Sequence, residues 1–101
     1  MNRNDLILGG TIVTCDALRY TPAGIPLLNF TLFHESVAGE GDQALKAQFE
    51  LPVSITGQAA MELSRLGEGT RLVLKGTLVP RSRRGQQLVM RAAQYKLADG
   101  D

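Results

Sequence analysis

"LPVSITGQAAMELSRLGEGTRLVLKG", residues 51–76, changes its hydrophobic period twice. Leu51, Val53 and Ile55 recur at every second position, the pattern of a half-buried strand. From Gln58 to Leu66 the spacing is helical: Ala59, Leu63 and Leu66 fall at i, i+4 and i+7 with Ala60 beside them, and Gly67 follows where glycine ends helices. Period 2 returns in "RLVLKGTLV", with Leu72, Leu74, Gly76 and Leu78 inward and Arg71, Val73, Lys75 and Thr77 outward. The centre of the chain therefore reads strand, helix, strand.

Working outward, "KAQFELPVSIT" extends the strand before the helix and adds Phe49 to its inward set, opposite Gln48, Glu50, Ser54 and Thr56. Two more strands precede it. In "DLILGGTIVT" one face holds Leu6, Leu8, Gly10 and Ile12 and the other Ile7, Gly9, Thr11 and Val13, and a glycine inside a strand marks a bend or a close backbone approach. In "IPLLNFTLFHES" Leu28, Phe30 and Leu32 face inward and Thr31 and Phe33 outward, after a turn in "TPAGIP". The last strand, "QLVMRAAQYKLA", buries Leu88, Met90 and Ala92 and exposes Val89 and Arg91, while Tyr95 joins the core. The order is that of an all-β OB-fold, a five-stranded partly open barrel with one short helix between strands three and four, although other small barrels with one helix share it.

The chain of 101 residues, 44% hydrophobic, fits one domain over residues 1–101. No apolar run is long enough to span a bilayer or to serve as a secretory core, and a single cysteine forms no internal disulfide, so a cytoplasmic protein without membrane contact is expected. Cys15 has no metal-ligand spacing to another Cys or to His34, so no metal and no cofactor are expected. Motifs for hydrolases, metalloproteases and nucleotide binding are absent, His34 reads as a hydrogen-bonding rim residue, and Cys15 beside Asp16 lacks a placed base. Neither an enzyme nor a binder of a small-molecule substrate is indicated.

The formal charge of +1 conceals a polarity. Residues 1–50 carry three cationic side chains against six carboxylates, whereas residues 51–101 carry eight against four, giving −3 and +4. Three of the cations, Arg81, Arg83 and Arg84, crowd into "PRSRRGQQ", the loop between strands four and five, with Gly85 supplying its turn. Guanidinium groups donate paired hydrogen bonds to phosphate and stack on bases, and OB-folds use this loop with the face of strands two and three to hold oligonucleotides. A hairpin tip also carries solvated charge for no further reason, so the turn by itself leaves both readings open.

Single-strand binders add aromatic platforms to such cations. Phe33, outward on strand two, is the first candidate; a dimer contact, or cover beneath the acidic stretch Val37–Ala44, is its other reading. Tyr20 beside Arg19 in the first loop is the second. Lys46 and Gln48 on strand three and Lys75 on strand four are placed to meet phosphate or base edges. Outward Ile7, Val13 and Val73 form an apolar edge suited to a homodimer.

"NDLILGGTI", "TPAGIPLLNFTLFHES", "LPVSITG" and "GTRLVLKGTLVPR" together resemble the bacterial single-stranded DNA-binding proteins, in particular the accessory members that serve the replication-restart primosome. The resemblance runs along essentially the whole chain. Its most specific part is Pro22, Gly24, Ile25 and Pro26 followed by Phe30, Leu32, His34 and Ser36. It implies a homodimeric OB-fold protein without catalytic activity that binds single-stranded DNA and associates with the helicase PriA and with DnaT, so that the replicative helicase DnaB is loaded. Carried onto this chain, it matches Arg19 to a basic position of the first loop and Arg81, Arg83 and Arg84 to the basic loop between strands four and five. On strand three the chain departs from the family: Gln48 stands where a stacking aromatic is expected, and Leu45, with Lys46 adjacent, where a basic residue is expected.

Overall fold

Gly10 lies where the first strand changes partners. The computed structural model, which describes residues 1–98, has β1 at Leu6–Cys15, and its first half pairs antiparallel with β5, Arg71–Pro80. From Thr11 onward β1 pairs instead with β3, Pro26–Ala38, through a bulge between Ile12 and Thr14. A Cβ on Gly10 would overlap the carbonyl oxygen of Phe33, so this bend requires glycine. Gly76 does the same on β5, where a side chain would overlap the backbone of Arg91 and Ala92 on β6, Leu88–Leu97.

The two-residue β2, Arg19–Tyr20, pairs with the start of β3, and β4, Leu45–Thr56, runs antiparallel to the whole of β3. Strands two to five of the sequence reading are thus β3, β4, β5 and β6. β5 pairs antiparallel with β6, and β6 meets β4 in parallel through Val53 with Met90 and Ser54 with Arg91, which closes the barrel. Helix α1, Gln58–Leu66, has the limits read from the sequence and ends where the Gly67 N–H donates to the Leu63 carbonyl at 2.8 Å. It presses Ala60 and Leu63 onto a core of Leu8, Ile12, Leu28, Phe30, Leu32, Val53, Ile55, Leu72, Leu74 and Met90. Ahead of β1, the Asn4 amide imitates one more strand rung, donating to the Leu78 carbonyl at 2.7 Å and accepting from the Leu78 N–H at 3.0 Å.

Several sequence expectations are corrected here. The acidic stretch is a connection as expected, from Gly39 to Ala44 with one 3-10 turn at Gly41–Gln43, but it is shorter than read, because β3 runs on through Val37 and Ala38 and β4 starts at Leu45. Phe49 is not in the core but 41% exposed, because β3 and β4 continue beyond the barrel and no strand lies opposite that rung. Leu88 and Leu66 are exposed for related reasons, one at the base of the protruding β5–β6 arm and the other at the free end of the helix. Phe33 faces outward as expected yet is only half-exposed, since the bent β1 lies beside it, and Val13 is half-buried next to the bulge.

Tyr95 on β6 packs against the core and donates its hydroxyl to Glu62 Oε1 of α1 at 2.6 Å. This hydrogen bond, then burial, then the Glu62 charge, hold the phenol pKa above its ordinary value. The unfolded chain therefore releases this proton first, near pH 10, and the folded state binds more protons above that point, so stability falls as pH rises. Urea unfolding midpoints of the Tyr95→Phe variant are expected to lose this alkaline decline relative to the parent.

Candidate nucleic-acid interface

The β5–β6 arm ends in the arginine turn. Pro80 pairs with Leu88, the Arg81 N–H donates to the Gln87 carbonyl at 2.9 Å, and the Gly85 N–H donates to Ser82 Oγ at 3.0 Å. Gly85 has no positive φ, and a Cβ there would meet only the Ser82 hydroxyl, at 2.8 Å, which can turn away at the cost of its hydrogen bond to the Gly85 N–H. Arg81, Arg83 and Arg84 are all exposed, and among the described residues the only ion pair within 4.0 Å joins Arg3 to Asp5, so no carboxylate neutralises the turn.

At the root of this arm an open groove of about 350 Å³ lies between the outward rows of β3 and β4 and those of β5 and β6. Asn29, Thr31 and Ser54 give it hydrogen-bonding groups, Arg81 and Arg91 give it positive charge, and Asp16 contributes one carboxylate. Asn29 and Ser54 are direct cross-strand partners, as are Thr31 and Pro52. The sequence reading had not singled out Asn29, Thr31, Ser54 or Arg91; their signal was the outward alternation that had pointed to Phe33.

Phe33 belongs to a second hollow, with Gly9, Gly10, Thr11, Glu35, Arg71 and Val73 around it. Ile7, 68% exposed, and Val73, 38% exposed, sit on the outward faces of adjoining β1 and β5, with Lys75 directly across from Ile7. Lys46 and Gln48 are exposed on the outward row of β4, Gln48 opposite Glu35 and Lys46 opposite Val37. Arg19 and Tyr20 form β2 at the sheet edge, both exposed. The structure thus unites Arg81 with the groove, sets Arg83 and Arg84 at the tip of the same arm, and leaves Phe33 in the hollow along β1.

His34 is held at the rim. A carbonyl only accepts, so its Nδ1 donates to the Gly9 oxygen at 2.7 Å, and in the neutral ring Nε2 accepts from the Ser36 hydroxyl at 2.8 Å. Its ring packs on Phe49 with centroids 5.0 Å apart. Burial, followed by Asp16 and Glu68, raises the Cys15 pKa, which disfavours the thiolate that nucleophilic chemistry needs.

A family model described as "Another single-strand binding protein family" matches residues 4–94. The replication restart protein PriB of Nitrosomonas europaea is 30% identical over 97 residues, covering 96% of this chain and 90% of that protein. PriB of Neisseria gonorrhoeae is 36% identical over 92% of each chain. The chain belongs to the PriB family of single-strand binding proteins.

The solved structure of PriB from Ralstonia solanacearum superposes with a TM-score of 0.80 at 31% identity, covering 95% of this chain and 98% of that one. The single-stranded DNA binding protein of Thermus aquaticus, 22% identical, shares the fold with a TM-score of 0.76, this chain covering 51% of its length. Within the PriB family, then, this chain keeps the OB barrel and clusters three exposed arginines at the end of the β5–β6 arm.

Proposed function

We propose that this chain binds single-stranded DNA as a non-catalytic accessory protein of replication restart in the bacterial cytoplasm, and that it bridges DNA, the PriA helicase and DnaT so that the replicative helicase is loaded. The observation that carries this reading is the arginine turn: three exposed guanidiniums with no acidic partner among the described residues, on an arm beside a groove with a polar floor. Phosphates neutralise such a cluster with release of counterions, while Asn29, Thr31 and Ser54 face the bases. Fluorescence anisotropy of labelled oligo-dT over a salt series tests it. Binding that weakens as salt rises is expected, and no binding at low salt would overturn the DNA-binding role.

One observation favours a shift of emphasis toward the protein partners. The groove presents no exposed aromatic ring among the described residues: Phe30 in its wall is buried, Phe33 lies in the other hollow, and Gln48 takes the strand-three position. Stacking contributes roughly 1–3 kcal/mol per base, so its absence leaves DNA affinity modest and gives the contacts with PriA and DnaT the larger share.

Ile7 and Val73, with Phe33 in the adjoining hollow, serve as the homodimer face, the apolar edge read from the sequence with Val13 withdrawn from it. Ile7→Asp places a charge on each side of a two-fold contact, and sedimentation velocity is expected to show half the parent mass. An unchanged mass would remove this face from consideration.

A further inference from the structure

The inward face of the β3–β4 hairpin does not stop where the barrel stops. Leu32 faces Leu51 in the core region, and the next rungs on the same face are His34 with Phe49, Ser36 with Ala47 and Ala38 with Leu45. Nothing among the described residues covers the outer rungs, and Leu45 is 73% exposed. Residues 35–50 carry Glu35, Glu40, Asp42 and Glu50 against Lys46 alone, with Glu40 and Asp42 at the hairpin tip. Glu35, Lys46 and Glu50 lie on the opposite, outward row, so the uncovered face is itself largely apolar and the negative charge beside it is that of Glu40 and Asp42 at the tip.

The complementary surface is on the same chain. The β5–β6 arm presents Pro80 and Leu88, the latter 46% exposed, beside Arg81, Arg83 and Arg84. Because β4 and β6 run parallel where they meet, the hairpin and the arm both leave the barrel from the same end. They do not neutralise each other within one chain, since no carboxylate of the described residues lies within 4.0 Å of these guanidiniums.

We propose that a second copy of this chain covers the hairpin face, its Leu88 and Pro80 against Leu45 and Phe49, and its Arg83 and Arg84 against Glu40 and Asp42. Each copy owns both halves of the contact at one end, so a two-fold axis there engages it twice. It is separate from the β1 edge, and it is salt-sensitive where an apolar edge is not. A turn occupied in this way is closed to phosphate, so association and DNA binding exclude each other. That last consequence rests on the reading of the turn given above.

Sedimentation velocity of the full chain without DNA, at about 0.05 M and about 0.5 M salt, tests the contact directly. The expected result is a mass at low salt at least twice that at high salt, since each β1-edge dimer offers two such contacts. Glu40→Lys with Asp42→Lys, and separately Arg83→Glu with Arg84→Glu, are expected to hold the high-salt mass at both concentrations. An equal mixture of these two variants is expected to recover the doubled mass, because each reversed tip then meets a reversed turn. Leu45→Ser weakens the association without altering charge. One mass at both salts, a doubling that survives either reversal, or a mixture that stays apart would overturn the contact. Oligo-dT added to the low-salt form is expected to return it to the high-salt mass. DNA that binds without lowering the mass overturns the exclusion alone, and DNA that binds no form of the protein overturns the function proposed above while leaving the contact standing.

Discussion

Alanine at both Arg83 and Arg84 is expected to weaken single-stranded DNA binding about 25-fold near 0.1 M salt and to make the dependence of log K on log salt less steep by about 1.4. The estimate follows from counterion release. Each phosphate neutralised on a single strand contributes a slope of about −0.7, so two lost contacts account for about 1.4 in slope. Extrapolated to 1 M salt this release contributes nothing, and one decade lower it amounts to about 1.4 decades of affinity. Anisotropy titrations of parent and variant at several salt concentrations give both quantities. Parallel lines, even with a displaced intercept, would mean that the arginines touch something other than phosphate. Arg65→Ala is a suitable control: Arg65 ends the helix that precedes β5, at the barrel end away from the arm, and its line is expected to overlie the parent's.

The largest stability effect is expected at a residue without a side chain. Gly10→Ala should cost about 3 kcal/mol and lower the melting midpoint by roughly 12–24 °C. Alanine normally suits a strand better than glycine, so intrinsic preference predicts the opposite sign. Sterics decide the matter here, because the new methyl would overlap the Phe33 carbonyl oxygen and come within 3.0 Å of Leu32 Cγ. The blocking atom is backbone in a paired strand, so β1 must move away and uncover Ile12 and Leu8. Gly9→Ala, one residue earlier, is the internal comparison. Its methyl would meet Val73 Cγ2 at 3.6 Å and the Leu72 oxygen at 3.7 Å, ordinary contacts, and a change within about 1 kcal/mol is expected. Thermal melts of the two variants side by side test the bend, and similar midpoints for both would refute it.

The barrel was legible because its signals are local. The limits of α1 follow from a change of period and a terminal glycine, and Gly10 and Gly76 stood out as glycines where side chains should be. What alternation cannot convey is whether anything lies opposite a given face. Phe49 continues the pattern of Leu51, Val53 and Ile55, yet its rung has passed the rim of the barrel; Leu88 continues the pattern of Met90 and has done the same on the other arm. Phe33 faces outward as the alternation has it, yet it is sheltered by a strand whose bend is set at Gly10, distant in sequence. The groove was half-legible. Arg81 was conspicuous by clustering, whereas Arg91, Asn29, Thr31 and Ser54 are ordinary strand residues until the strands are paired and the arm is placed beside them.

The parallel junction of β4 with β6 consists of two residue pairs, and its outward residues Ser54 and Arg91 lie in the groove. Every other side of the barrel is held by a longer antiparallel ladder. Parting this seam breaks few backbone hydrogen bonds, and what holds it is mainly the burial of Val53 and Met90 in the core. On the reading proposed here, a strand of DNA in the groove touches both lips of the seam, and any ligand that prefers the shut form adds RT ln(1 + [L]/Kd) to its stability. The nucleic acid then acts as a fastener on the one side of the cylinder where the backbone ladder is short.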